Sequence, residues 1–256
     1  MSAPSPTSRT VQTLADSTAV AQAAAELFVT CSRAAQAEGR DFRVALSGGS
    51  TPRRFHALLA ASPLREQVDW SRIQFFWGDE RCVPPDDPES NYGMARETLL
   101  DALAIPASQI HRMRGEDDPA TAARAYDAEV RAVFGAGPFE TPRFDLIYVG
   151  MGPDGHTLSL FPHTAALRVT DRLVTENHVP QLNTTRITFT TTLANAAEMV
   201  AFVIAGPDKA DALAEVLQGT RNPEQYPSQL IAPAGELRFI VDEAAAANLA
   251  PQPPLP

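Results

Sequence analysis

Residues 42–52 read Phe42-Arg43-Val44-Ala45-Leu46-Ser47-Gly48-Gly49-Ser50-Thr51-Pro52. A short run dominated by apolar side chains stops at a serine and two glycines, and a proline follows where a helix would make its first turn. A run apolar on both faces suits a strand covered from both sides. The glycines let the chain turn sharply out of it. Proline is at home in a first helical turn, because the N–H it lacks would have no partner there. The unit is strand, tight turn, helix, and it recurs. Ile73–Trp77 (IQFFW), Phe144–Val149 (FDLIYV), Met199–Ala205 (MVAFVIA) and Leu237–Val241 (LRFIV) read as further buried strands. Helical patterns lie around and between them at Thr13–Ala37, Thr51–Ala61, Glu89–Leu103, Pro119–Phe134 and Asp208–Leu217, the last stopped by Gly219. The Ala-rich stretch Val20–Val29 reads as a packing helix, and Arg186–Thr192 as a β-branched segment of undecided place. Such alternation predicts an α/β sandwich with a parallel sheet and right-handed crossovers.

The chain has 256 residues, with 21 Lys+Arg against 31 Asp+Glu and a formal net charge of -10. At about 100–200 residues per domain, and with no repeat or long polar linker, a single catalytic domain is expected. Residues 1–10, rich in Ser, Thr and Pro, and residues 250–256, rich in Pro, are expected to be flexible ends. No apolar run approaches the roughly 18 residues of a membrane span. The first residues lack a secretory pattern. The two cysteines, Cys31 and Cys82, are too few for a disulfide framework, so a reducing cytoplasm is expected. The acidic balance disfavours nucleic acid and anionic membrane as partners, yet leaves room for one small anionic ligand. Lys209 is the single lysine among the 21 basic residues.

In a parallel α/β sheet, ligands bind beyond the carboxyl ends of the strands. After FRVAL, the segment Ser47–Pro52 offers free N–H groups at a helix start, a setting for phosphate, although the same residues also make an ordinary tight turn. It has neither the lysine of a nucleotide P-loop nor a GxGxxG pattern. After IQFFW comes Gly78-Asp79-Glu80-Arg81, where charges at a buried strand end need partners or a cleft. One reading is a loop with an Asp79–Arg81 salt bridge; the other gives Arg81 an anion, with Asp79 or Glu80 orienting it and Asn91 facing the same cleft.

After FDLIYV comes Gly150-Met-Gly-Pro-Asp-Gly-His156-Thr157, continued by Leu-Ser-Leu-Phe-Pro162. Three glycines and a proline build a loop that lies close to a ligand and carries Asp154 two residues before His156. Histidine is the usual general base, and a carboxylate can fix its tautomer. His56, His111, His163 and His178 have no such setting. After MVAFVIA comes Gly206-Pro-Asp-Lys209, where a cation stands against the dipole preference of a first helical turn and could reach a bound phosphate. No HxxxH, HExxH, CxxC or GxSxG occurs, so neither a metal site nor a serine nucleophile elbow is expected.

Taken in order, SGGSTP, FWGDERCVPPDDPESNYGMARETLL, GMGPDGHTLSLFP and AGPDK resemble the 6-phosphogluconolactonase family of the glucosamine/galactosamine-6-phosphate isomerase superfamily. The likeness spans about residues 40–240 and includes Arg186-Ile-Thr, although the run of prolines that usually precedes that element is reduced to Pro180. The resemblance implies a three-layer α/β/α sandwich with a mostly parallel, Rossmann-like sheet. It also implies hydrolysis of 6-phosphoglucono-δ-lactone in the oxidative pentose phosphate pathway, with no cofactor or metal. His156 would match the catalytic base; Asp154 could orient its imidazole or equally shape the loop. Substrate would be bound by Ser47, Gly48, Gly49, Ser50, Thr51, Asp79, Arg81, Asn91, Gly155, Arg186 and Lys209. The expected partner is a small sugar-phosphate lactone, and the expected state a monomer or weak homodimer. An amino-sugar-phosphate deaminase or isomerase is the nearest alternative. Its loop would carry a carboxylate five residues beyond the histidine, where this chain has Phe161. A non-catalytic sugar-phosphate sensor is the third reading; it could dispense with the base, yet Asp154 and His156 are both present.

Overall fold

A computed structural model of the chain describes residues 8–250. Its strands are β1 (Ser8–Leu14), β2 (Phe42–Leu46), β3 (Ile73–Trp77), β4 (Asp79–Arg81), β5 (Leu146–Val149), β6 (Val174–Val179), β7 (Thr184–Phe189), β8 (Met199–Ile204) and β9 (Glu236–Asp242). The helices are α1 (Ser17–Ala37), α2 (Ser50–Leu59), α3 (Asn91–Ala95), α4 (Pro119–Phe134), α5 (Thr191–Ala194) and α6 (Ala210–Gln218). Six strands form a wholly parallel sheet in the order β1-β9-β8-β5-β2-β3. A small antiparallel sheet, β4-β7-β6, stands beside it.

The apolar character of the central strands on both faces has a direct structural reason. Successive side chains of a strand point to opposite sides. In β8, Met199, Ala201 and Val203 enter one core with α1 and α2, while Val200, Phe202 and Ile204 enter the other with α4 and α6. Val44 and Leu46 of β2 join the first core, and Ala45 joins the second. Two cores, one on each side of the sheet, make the three-layer α/β/α sandwich with a mostly parallel sheet. Helix starts follow local capping. Asp16 accepts from the N–H of Thr18 (2.8 Å) and Ala19 (2.9 Å), Ser90 from Gly93 (2.9 Å), and Asp118 from Thr121 (3.0 Å).

Several expectations change. The first helix starts at Ser17, not Thr13, because Thr13 and Leu14 belong to β1 and Asp16 caps the helix behind them. Ser8, Arg9 and Thr10, expected to be flexible, pair in parallel with Glu236, Leu237 and Arg238. At the other end, Ala250 exchanges hydrogen bonds with Gln218 (2.9 and 3.1 Å). The remaining expected flexible ends, residues 1–7 and 251–256, lie outside the described residues. The helix foreseen from Glu89 to Leu103 begins at Asn91, and after Ala95 it widens into a π-turn over Arg96–Leu100. The second sheet was not foreseen as a unit. Of the segment Arg186–Thr192, Arg186–Phe189 falls in that sheet's central strand β7 and Thr191 and Thr192 begin α5, while Gly78-Asp79-Glu80-Arg81, read as a loop, supplies β4. Among the described residues no helix is long and apolar enough to cross a membrane.

Candidate active site

At the carboxyl ends of the parallel strands, the turns after β2, β5 and β8 meet the small sheet around a cleft of about 300 Å³. The loop after β5 is tied by hydrogen bonds within itself. Thr157 Oγ1 donates to the Gly150 carbonyl (2.7 Å), Gly152 N to the His156 carbonyl (2.9 Å) and Gly155 N to the Gly152 carbonyl (3.0 Å). Gly155 has φ +78°, which favours glycine. Gly152 has another reason to be glycine, since a Cβ there would stand 2.1 Å from His156 Nδ1.

His156 Nδ1 lies 2.6 Å from Asp154 Oδ1, which also accepts from the His156 N–H at 3.1 Å. Half-burial works to raise the Asp154 carboxyl, but hydrogen bonding and the charge of His156 outweigh it and hold it below the usual carboxylate value. An ionised carboxylate can only accept, so Nδ1 carries a proton. Nε2, with no hydrogen-bond partner among the described residues, is the ring nitrogen left for chemistry. Phe161 stacks on the imidazole, with ring centroids 3.9 Å apart and planes 23° apart. From behind, both the N–H (3.0 Å) and the hydroxyl (2.8 Å) of Ser228 donate to the Gly155 carbonyl.

The opposite wall is built for an anion. Gly49 (φ +111°) is the N-cap of α2, and among the described residues no side chain caps that helix. The buried hydroxyl of Ser47 has no partner among the described residues, and Asn91 lies so close to Gly48 that a Cβ there would stand 1.8 Å from Asn91 Oδ1. Uncapped N–H groups and an orphaned buried hydroxyl are donors awaiting an acceptor. In the small sheet Arg81 stands directly opposite Arg186. Burial, and then the charge of Arg81, push the Arg186 guanidinium down from its ordinary value. Like charges placed opposite are unfavourable unless something negative comes between them. Arg81 is steadied by donating Nη1 to the Glu89 carbonyl (2.5 Å). Lys209, just before α6, closes the cationic group and pairs with Asp208 at 2.9 Å.

The expected salt bridge between Asp79 and Arg81 does not form among the described residues. Asp79 Oδ2 instead accepts from Ser159 Oγ (2.6 Å), and Asn91 Nδ2 donates to the Asp79 carbonyl (2.9 Å). Glu80 points away from the cleft. Its carboxylate accepts from the N–H of Arg81 (2.8 Å), Asn91 (2.7 Å) and Tyr92 (2.8 Å), and from Ser90 Oγ (3.1 Å). It thereby fastens the start of α3 to β4.

Of the residues singled out in sequence, Ser47, Gly48, Gly49, Asp79, Arg81, Asn91, His156, Arg186 and Lys209 line the cleft. Ser50 and Thr51 do not line it and lie in the first turn of α2. Asp154 and Gly155 stand behind His156 and act on the cleft only through it. Ser159 and Phe161 also line the cleft; both sit on the LSLFP extension, where spacing from His156 was the only available signal. Ser228, far away in sequence, had none. Among the described residues no cluster of three His, Cys, Asp or Glu side chains could hold a metal ion. His56, His111, His163 and His178 do not line the cleft.

The family described as glucosamine-6-phosphate isomerases/6-phosphogluconolactonase matches residues 15–239. The chain is similar to a 6-phosphogluconolactonase of a Nostoc species, 44% identical over 243 residues, covering 94% of this chain and 98% of that relative. It is similar to a second, from a Synechocystis species, 44% identical over 209 residues, covering 81% and 85%. Among solved structures, 6-phosphogluconolactonase from Trypanosoma cruzi superposes with a TM-score of 0.84 at 27% identity, covering 96% of this chain and 98% of that one.

Proposed function

The chain belongs to the glucosamine-6-phosphate isomerase/6-phosphogluconolactonase family, and on that premise we propose that it is a 6-phosphogluconolactonase, hydrolysing 6-phosphoglucono-δ-lactone to 6-phosphogluconate as a step of the oxidative pentose phosphate pathway. The observation that carries the reading is the juxtaposition, in one cleft, of His156 Nε2 with the cations Arg81, Arg186 and Lys209. The cations and the donors of Ser47–Gly49 suit a phosphate dianion on a small, otherwise uncharged sugar ring. Held at that end, the lactone presents its carbonyl to the histidine in attack geometry.

A lactone is an activated ester, so water suffices as nucleophile and no covalent intermediate with the protein is required. His156 Nε2 takes a proton from the water as its oxygen bonds to the lactone carbonyl carbon. Asp154 keeps the proton on Nδ1 and so directs the basic lone pair into the cleft. Charge gathering on the carbonyl oxygen is met by glycine N–H groups of the neighbouring loops or by Arg81. As the bond from that carbon to the ring oxygen breaks, Nε2 returns the proton to the departing oxygen. The product is an open-chain acid, which ionises to its carboxylate. The net negative charge of the chain is locally reversed by Arg81, Arg186 and Lys209, which is what an anionic substrate demands. The deaminase reading finds no support at Phe161, where an aromatic ring rather than a carboxylate meets the histidine.

The test is the rate of 6-phosphogluconate formation from freshly prepared lactone, measured against the spontaneous rate, for the wild type and His156→Ala. Acceleration by the wild type that collapses in the variant supports both the activity and the base. No acceleration by the wild type refutes the activity. Full activity in His156→Ala refutes the base and leaves the activity standing.

A further inference from the structure

Between His156 and Phe161 the chain doubles back on itself. Leu160 N donates to the Thr157 carbonyl (2.9 Å), and the two residues form an isolated antiparallel bridge. Leu158, at the bend, has φ +53°, a left-handed conformation that a branched side chain adopts only under constraint. The product of this turn is the stack of Phe161 on His156. Phe161 is itself fixed: it is 7% exposed, and its carbonyl accepts from Thr164 Oγ1 at 2.8 Å.

We propose that Phe161 is a positioning residue for His156, an aromatic wall that prevents the imidazole from turning out of the plane in which Nδ1 meets Asp154 and Nε2 faces the cleft. The hydrogen bond to Asp154 does not suffice for this, because that carboxylate is 41% exposed and open to competing water. Rotation about the Cβ–Cγ bond must swing an edge of the imidazole out of its plane. At 3.9 Å between near-parallel rings, Phe161 is already in van der Waals contact and leaves no room on its side. Gly152, lacking a side chain, leaves the space that Nδ1 occupies, since a Cβ there would stand 2.1 Å from it. The imidazole keeps one orientation, the strained bend at Leu158 being the structural means of bringing residue 161 to it. A base misplaced by an ångström loses much of its effect.

The kinetic part of the test rests on the lactonase reading; the spectroscopic part does not. In ligand-free protein, the Nδ1 proton of His156 is followed by NMR, with hydrogen exchange of that proton measured in wild type, Phe161→Leu and Phe161→Tyr. Exchange is expected to be about tenfold faster in Phe161→Leu, with kcat for lactone hydrolysis lowered about tenfold and KM within about twofold of wild type. Phe161→Tyr, which keeps the ring, recovers most of both. Phe161→Met replaces the leucine variant if thermal melting shows that variant to be unfolded. Wild-type exchange of the Nδ1 proton in the aliphatic variant overturns the proposal, as does an activity loss carried by KM. A wild type that does not accelerate lactone hydrolysis sinks the lactonase reading alone, and proton exchange then decides the proposal.

Discussion

Acid should loosen this fold through one histidine that takes no part in the cleft. His56 lies in α2, the helix whose N-cap Gly49 lines the cleft, and its side chain is fully buried. Its Nδ1 is 3.3 Å from Thr98 Oγ1, while the Thr98 hydroxyl donates to the Met94 carbonyl at 2.7 Å. The threonine oxygen therefore accepts, Nδ1 is the donor, and Nε2 is left as a buried lone pair with no partner among the described residues. Protonating Nε2 would place a charge against Phe55, whose ring lies edge-on at 4.6 Å, with nothing to accept the new proton. Burial first, and the charge of Arg53 second, push this imidazole down from 6.5 to about 3.

The unfolded chain binds a proton at the ordinary value and the native state resists it. Stability is therefore full above pH 6.5 and is lost as pH falls toward 3. At about 1.4 kcal/mol per pH unit, the loss from this group between pH 7 and pH 4 is about 3 kcal/mol. That is a large share of the roughly 5–15 kcal/mol that holds a domain together. Urea unfolding of the wild type and His56→Leu at both pH values isolates the effect, because other titrating groups are common to the two proteins. Whatever the difference in unfolding free energy at pH 7, it should move by about 3 kcal/mol in favour of the variant at pH 4. An equal difference at the two pH values would refute the reasoning.

Three further outcomes are expected. On the proposed function Lys209 would hold the substrate phosphate in ground and transition states alike, so for Lys209→Ala steady-state kinetics should show a raised KM with kcat little changed. Gly48→Ala forces a methyl group into Asn91, which its bond to the Asp79 carbonyl prevents from retreating; activity should drop at least tenfold, as initial rates at saturating and limiting substrate would show, on the order of an ångström-scale misplacement at a reactive site. Ser228→Ala deletes the shorter of the two bonds on the Gly155 carbonyl. It should lower stability by about 1 kcal/mol in chemical denaturation and depress kcat more than it alters KM, with Ser228→Thr restoring part of both.

Local rules made much of this protein legible before folding was considered. FRVAL and IQFFW are apolar on both faces because both faces are covered, and β2 and β3 begin and end where those runs do. Glycine, with or without proline, after four of the five runs announced the turns, and most of the residues singled out in those turns do line the cleft. What escaped notice depends on partners distant in the chain. β4 is three residues long and charged, and it is a strand only because β7, a hundred residues later, pairs with it. β1 carries a weak pattern and is held by β9 from the far end of the chain.

The sequence by itself determined the α/β alternation, the strand ends around which the cleft forms, and the Asp154–His156 pair, because each rests on neighbours within a few residues. Only the tertiary structure decided that Arg81 faces Arg186, that Asp79 turns to Ser159 rather than to arginine, and that Phe161 covers the histidine. Those relations are set by strand register and by the return of a strained turn, and neither is encoded in the spacing of residue types along the chain.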